Sequence, residues 1–166
     1  MSDKILRDRY GEHPFGDAGQ LILFVAFLAV WVTDSFFFHR STFLARHVLL
    51  AIRLVLLGLA LITAISLVRS AGAVLHHGRR QDHVIETGSF RYVRHPLYLG
   101  ALLVYLGMTI ATASMFSLAI CAAVFVFYDA ISRYEEKLME VWFGEAYKNY
   151  KKRTGKWLPK IGGTRD

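Results

Sequence analysis

Three stretches of this 166-residue chain carry ionisable side chains in patterns that could do chemistry. The segment from Arg69 to Pro96 carries four of its seven histidines: His76, His77, His83 and His95. A metal centre is the first chemistry such a group suggests. None is expected, because the segment lacks cysteine and its His spacing fits no standard ligand pattern. Arg79, Arg80, Arg91 and Arg94 would also repel a cation. The second place is the run Arg94-His95-Pro96-Leu97-Tyr98-Leu99-Gly100. Pro96 suits the first turn of a helix, where its missing N–H costs nothing. Gly100 permits close approach of a neighbour or ligand. The third is Asp129, Arg133, Glu136 and Glu140, spaced i, i+4, i+7 and i+11 and so on one helix face. Facing water, they would be a plain ladder of ion pairs. Placed where a helix leaves a membrane, they would face the histidine-bearing segment.

The elements that must position these groups are apolar blocks. The chain is 54% apolar and 20% charged, with mean hydropathy +0.35. A soluble domain averages about 45–50% and about 25%. Disordered, collagen-like and disulfide-scaffold classes are excluded by the apolar content, 3 Pro and 1 Cys. The blocks are Leu21–Phe38, Val48–Val68 with one charge at Arg53, and Leu97–Tyr128 with none. The first two each match one crossing of about 20 residues. The third would be about 48 Å long as one helix, against a hydrocarbon core of about 30 Å.

The expected fold is therefore all-α and polytopic. It has four transmembrane helices at about 19–38, 48–68, 97–112 and 115–131, the last two a tight hairpin turning near Thr112–Ser114. Charge placement favours this count: four crossings put 17 Lys and Arg on one face and 2 on the other, whereas three give 8 against 11. Basic flanks are cytoplasmic, so both termini are expected there. A cleavable leader is not expected, since the segment before Leu21 is mixed in charge and no A-x-A-like site follows Val32.

Asp34 and Arg53 lie toward the outer ends of their helices and read as structural, either paired or with Arg53 reaching the interface. Cys121 has no partner for an internal bridge. Leu138, Val141, Trp142, Tyr147 and Tyr150 alternate with Lys148, Lys151, Lys152 and Arg153. This predicts an amphipathic C-terminal helix in the inner headgroup layer, drawn to anionic lipid. The +7 charge hugs membrane flanks, so no nucleic-acid partner is expected.

Three stretches resemble the isoprenylcysteine carboxyl methyltransferase family of integral membrane enzymes, related to phospholipid methyltransferases. They are Asp82-His83-Val-Ile-Glu-Thr-Gly88-Ser-Phe90, Arg91-Tyr92-Val-Arg94-His95-Pro96-Leu-Tyr98-Leu-Gly100, and Glu135-Glu136 followed by Trp142-Phe143-Gly144-Glu145-Ala-Tyr147-Lys-Asn-Tyr150. The likeness covers residues 82–162 of a single domain. It implies S-adenosyl-L-methionine as cofactor and a lipophilic methyl acceptor, an isoprenylcysteine-type carboxylate or another small hydrophobic molecule, arriving from the bilayer. Carried over residue by residue, it nominates His83, Tyr92, His95, Pro96, Tyr98, Leu99, Gly100, Glu135 and Glu136 for the cofactor. Arg133 and Glu136 are the nominees for catalysis. Family members carry an Arg about four residues before the Glu pair; that position is Ile131 here, and Arg133 is the nearest replacement.

The chemistry suits these residue types. Carboxylates bind the cofactor's ammonium, Tyr faces its positive centre, and His95 a ribose or carboxylate. Two other readings stand beside it. Sterol-reductase-type membrane enzymes share a similar motif region and bind NADPH, whose 2′-phosphate would want Arg79 and Arg80. A non-enzymatic helical membrane protein is the third.

Overall fold

The computed structural model describes residues 16–77 and 83–160. Among them all regular structure is helical, apart from one parallel bridge between Val93 and Gly155. There are five α-helices: α1 Gly16–Val32, α2 Leu50–His77, α3 Pro96–Thr112, α4 Met115–Phe143 and α5 Glu145–Arg153.

The apolar α1 continues as a π-helical turn, Thr33–Phe38. Thr33 Oγ1 donates back to the Ala29 carbonyl at 2.7 Å, which competes with the regular ladder. The wider turn swings Asp34 inward, where it is 3% exposed. Phe36, Phe37 and Phe38 remain outward. His39, in the left-handed region at φ 51°, ends the turn.

Small residues seat α3 against α2. A Cβ on Gly100 would lie 2.8 Å from Val68 Cγ2, and one on Gly107 would lie 3.1 Å from Ala60 Cβ. Such close backbone approach is how helices associate where lipid removes the hydrophobic drive. Most of the rest of α2 is exposed and apolar, as expected for a lipid-facing surface. The core lies on the other side of α3, where Phe27, Leu102, Tyr105, Cys121, Val124 and Tyr128 meet. Phe27 meets Tyr105 edge-on at 4.7 Å, and Trp31 Nε1 donates to the Met108 carbonyl at 3.0 Å.

The structure overturns the four-crossing expectation. Among the described residues, three helices are long and apolar enough to span a membrane: Ala18–Phe38, Leu50–Leu75 and Met115–Phe143. α3 has only 17 residues, about 26 Å at 1.5 Å per residue, short of a core of about 30 Å. The uncharged run is divided unequally. The chain reverses at Ala113, left-handed at φ 55°, and Ser114, which caps α4 by accepting from the Ser117 N–H at 3.1 Å. α4 then takes 29 residues and runs through the charged stretch to Phe143. α3 is short because Pro96 opens it and the left-handed Ala113 ends it; Pro96, Gly100, Leu102, Tyr105, Gly107 and Thr109 are its buried residues.

The C-terminal helix is corrected too. Tyr147 and Tyr150 of α5, expected in the headgroup layer, are 5% and 3% exposed and buried within the protein. The protein is thus an integral membrane helical bundle with a folded C-terminal segment closing one end.

Candidate functional site

The segment before α3 is fastened to α2 before it reaches the site. Gly88, at φ 59°, opens a short 3₁₀ turn; a Cβ there would meet Val74 Cγ2 at 2.9 Å. Ser89 Oγ donates to the Leu67 carbonyl at 3.0 Å. His95 precedes Pro96, which disfavours the helical region for it, and its backbone is non-helical (φ −124°, ψ 63°). Its ring is thereby directed at α4.

There it meets the carboxylate pair. His95 Nε2 lies 3.2 Å from Glu136 Oε1, and Nδ1 lies 3.6 Å from Glu135 Oε2. Tyr98, one turn into α3, donates its hydroxyl to Glu135 Oε1 at 2.5 Å. The three rings His95, Tyr98 and Tyr128 form a stack, with centroids 5.8 and 4.9 Å apart and planes within 12° and 16°. Trp157 closes on His95 from the C-terminal side, 6.0 Å between centroids.

Glu136, 6% exposed, is the charge centre. It receives Arg94 Nε at 2.9 Å and Lys151 Nζ at 3.1 Å besides His95. Such a buried carboxylate persists because several donors share its charge. Lys151 also binds Glu140 at 2.7 Å, and that bond, added to the one from Glu136, holds its ammonium above the ordinary lysine range despite partial burial. Burial pushes the Tyr147 and Tyr150 phenols well above the usual tyrosine range. Tyr150 donates to the Phe90 carbonyl at 2.7 Å, tying α5 to the loop. Beyond α5, Lys156 (2.5 Å) and Trp157 Nε1 (3.2 Å) both donate to Asp129 Oδ1 on α4.

The structure therefore brings together His95, Tyr98, Glu135 and Glu136 from two separate stretches of sequence. Pro96 is buried at the start of α3, and Gly100 faces α2. Leu99 is partly exposed, while His83 is exposed and Tyr92 is 51% exposed. Arg133 does not join the His95 network: its side chain is 72% exposed and pairs with Asp129 at 2.5 Å. Glu136 and Glu140, from the predicted stripe, share Lys151. Arg79, Arg80 and Asp82 lie outside the described residues.

Four partners of the site were not nominated from sequence: Arg94, Tyr128, Lys151 and Trp157. Arg94 adjoins His95, and its burial was the missing signal. Lys151 is expected from sequence among the basic residues of a headgroup-layer helix, and Trp157 follows a turn that no periodicity marks. Among the described residues, no group of three or more His, Cys, Asp or Glu is placed to hold a metal ion.

The opposite end of the bundle carries a second polar cluster. Asp34 Oδ2 accepts from Ser114 Oγ at 2.6 Å and from Ser41 Oγ, and Oδ1 accepts the Ser41 N–H at 3.0 Å. Arg53 takes the Ala111 carbonyl at 2.7 Å, in the last turn of α3, rather than Asp34.

Known proteins resemble part of this chain. The cobalt-zinc-cadmium resistance protein CzcN of Cupriavidus metallidurans is 32% identical over 85 residues, 51% of this chain and 39% of its own. The protein-S-isoprenylcysteine O-methyltransferase of Schizosaccharomyces pombe is 31% identical over 85 residues, 50% and 36% respectively. The methanethiol S-methyltransferase of Pseudomonas deceptionensis is 31% identical over 72 residues, 43% and 27%. The matched region thus spans well under half the length of these relatives. No solved structure is significantly similar. The phospholipid methyltransferase family matches residues 46–146, which include the loop, His95, Tyr98 and both glutamates, and the chain belongs to that family.

Proposed function

We propose that this protein transfers a methyl group from S-adenosyl-L-methionine to a lipophilic acceptor that reaches the site from the bilayer. The observation that carries the reading is the joining of His95 and Tyr98 to Glu135 and Glu136 at one polar end of an apolar bundle. Family membership supports the reaction class.

The donor set fits the cofactor. Glu135 offers carboxylate oxygens suited to an ammonium, and the His95–Tyr98–Tyr128 stack and Trp157 offer faces suited to adenine or a positive centre. When bound, the cofactor supplies a methyl made electrophilic by its sulfonium. The chain supplies position and dryness. Glu136, with bonds from three basic side chains, fixes His95 beside Glu135. The apolar core below Tyr128 excludes water, so orientation provides much of the rate. A carboxylate acceptor, ionised at neutral pH, needs no base. For an acceptor bearing a proton, Glu135 is the carboxylate nearest the aromatic stack to take it. Tyr92 and His83 are exposed, and Pro96, Leu99 and Gly100 belong to the first turns of α3. Lys and Arg are concentrated at this end, which supports a cytoplasmic placement for it.

Calorimetry of the purified protein with S-adenosylhomocysteine and with NADPH tests the reading. S-adenosylhomocysteine is expected to bind, and His95→Ala to weaken it about tenfold while the helices stay folded. Binding of NADPH alone overturns the proposal. A labelled-methyl screen over lipid amines, prenyl-thiol carboxylates and phenols then identifies the acceptor.

A further inference from the structure

We propose that Arg94 is a positioning residue that fastens the C-terminal segment 145–157 as a strap across His95 and Glu136, and so sets how long the cofactor stays bound. This rests on the methyltransferase reading above.

The geometry is a three-way grip. The Arg94 side chain is 10% exposed. Its Nε donates to Glu136 Oε1 on α4 at 2.9 Å. One terminal nitrogen donates to the carbonyls of Lys151 at 3.1 Å and Thr154 at 2.7 Å. Those carbonyls belong to the last turn of α5 and the residue that ends it, where helices leave acceptors unsatisfied and favour a cation. One guanidinium thus caps α5 and holds α4 at the same time. The backbone repeats the connection: the Arg94 N–H donates to the Gly155 carbonyl at 2.9 Å, and Val93 bridges to Gly155.

What the strap carries explains why its position matters. It brings Lys151 to Glu136 and Trp157 to the His95 ring. Its other ties surround this grip: Tyr150 on Phe90 before it, Arg153 on Glu86 within it, and Lys156 and Trp157 on Asp129 after it. The Arg153–Glu86 pair is about half exposed and contributes little. Arg94 is the buried fastening in the middle. A lysine has a point charge instead of a planar fork and cannot reproduce donors aimed at α4 and α5 together.

The test uses the full chain in nanodiscs, with Arg94→Lys and, as a second variant of similar length, Arg94→Gln. Hydrogen exchange is followed in 145–157, and S-adenosylhomocysteine affinity and dissociation rate are measured in parallel. Exchange in the strap and dissociation of S-adenosylhomocysteine are each expected to rise about tenfold in Arg94→Lys, with exchange in α1 to α3 unchanged. Joining Glu86→Cys to Arg153→Cys with a short bismaleimide is expected to restore slow dissociation in the Arg94→Lys background. Lost affinity with unchanged strap exchange and no rescue would mean that Arg94 touches the cofactor itself, and overturns the proposal. So does wild-type behaviour in both variants. Failure of the unmodified protein to bind S-adenosylhomocysteine overturns the methyltransferase reading instead, and the cofactor half of this proposal falls with it.

Discussion

Removing the Glu136 carboxylate is the sharpest test of how the site end is held. Glu136 accepts from Arg94, His95 and Lys151 at 2.9, 3.2 and 3.1 Å, and is 6% exposed. Breaking one member out of a buried ionic cluster costs about 3–5 kcal/mol, because the partners keep their desolvation penalty. The structure sets this case at the low end. Arg94 retains two carbonyls, and Lys151 retains Glu140. Glu136→Ala should therefore cost about 3 kcal/mol, a shift of roughly 100-fold in the equilibrium opening of residues 145–157. Glu136→Gln keeps one acceptor oxygen and the side-chain shape, and should cost about half as much. Hydrogen exchange of the strap amides in nanodiscs reads this opening directly. A cycle with Lys151→Met adds a check: the pair is in contact, so the two losses should be less than additive by about 1 kcal/mol. If Glu136→Ala costs under about 1 kcal/mol, or costs the same as Glu136→Gln, the cluster is only a screened surface network and the argument fails.

Three further outcomes are expected. Asp34→Ala strips three donors at the far end of their acceptor, so the melting temperature should fall, corresponding to about 2–4 kcal/mol; S-adenosylhomocysteine affinity should stay within twofold, and a large affinity loss would show the two ends to be coupled. Gly107→Leu places bulk against Ala60 and Leu57 and should part α2 from α3; cysteine cross-linking between the two helices reads the separation, and unimpaired cross-linking refutes the seam. The strap should loosen in alkali. Burial raises the folded-state pKa of Tyr147 and Tyr150, and the bond to Glu140 raises that of Lys151. The native strap therefore holds protons that the unfolded chain releases, so its stability is complete below about pH 10 and declines as pH rises beyond it. Tyrosine ionisation followed by ultraviolet absorbance checks this, and loosening that begins below pH 9 contradicts it.

Much of the site was legible from residue type and spacing because it rests on local rules. Pro96 announced the start of α3, and the spacing of Glu136 and Glu140 placed both on the face that Lys151 meets. The resemblance then joined His95 to Glu135 and Glu136, a contact across 41 residues that no periodicity encodes. The membrane count failed for a definable reason. Charge parity treats each apolar stretch as an independent crossing, whereas the length of α3 is set by Pro96 at one end and the turn at Ala113 at the other, which leave it too short to count as one. Tyr147 and Tyr150 misled in a similar way. Alternating aromatic and basic residues describe a helix with one apolar side, and lipid and protein interior satisfy that side equally well. Arg133 was nominated through its proximity to the Glu pair in sequence, but it points along its own helix to Asp129.

The far-end cluster has a mechanical consequence. Asp34 joins the end of α1 to Ser41 in the following loop and to Ser114 at the α3–α4 turn, while Trp31 holds Met108 nearby. At the other end α5 and the residues after it are held by side-chain bonds and one bridge. The long helix α4 is thus pinned at both ends by a buried carboxylate: its first residues through Ser114 to Asp34, and its distal half through Glu136 to Arg94 and His95. A pull on either end is resisted by charge as well as by packing, which keeps α4 in register with the shorter α3 beside it.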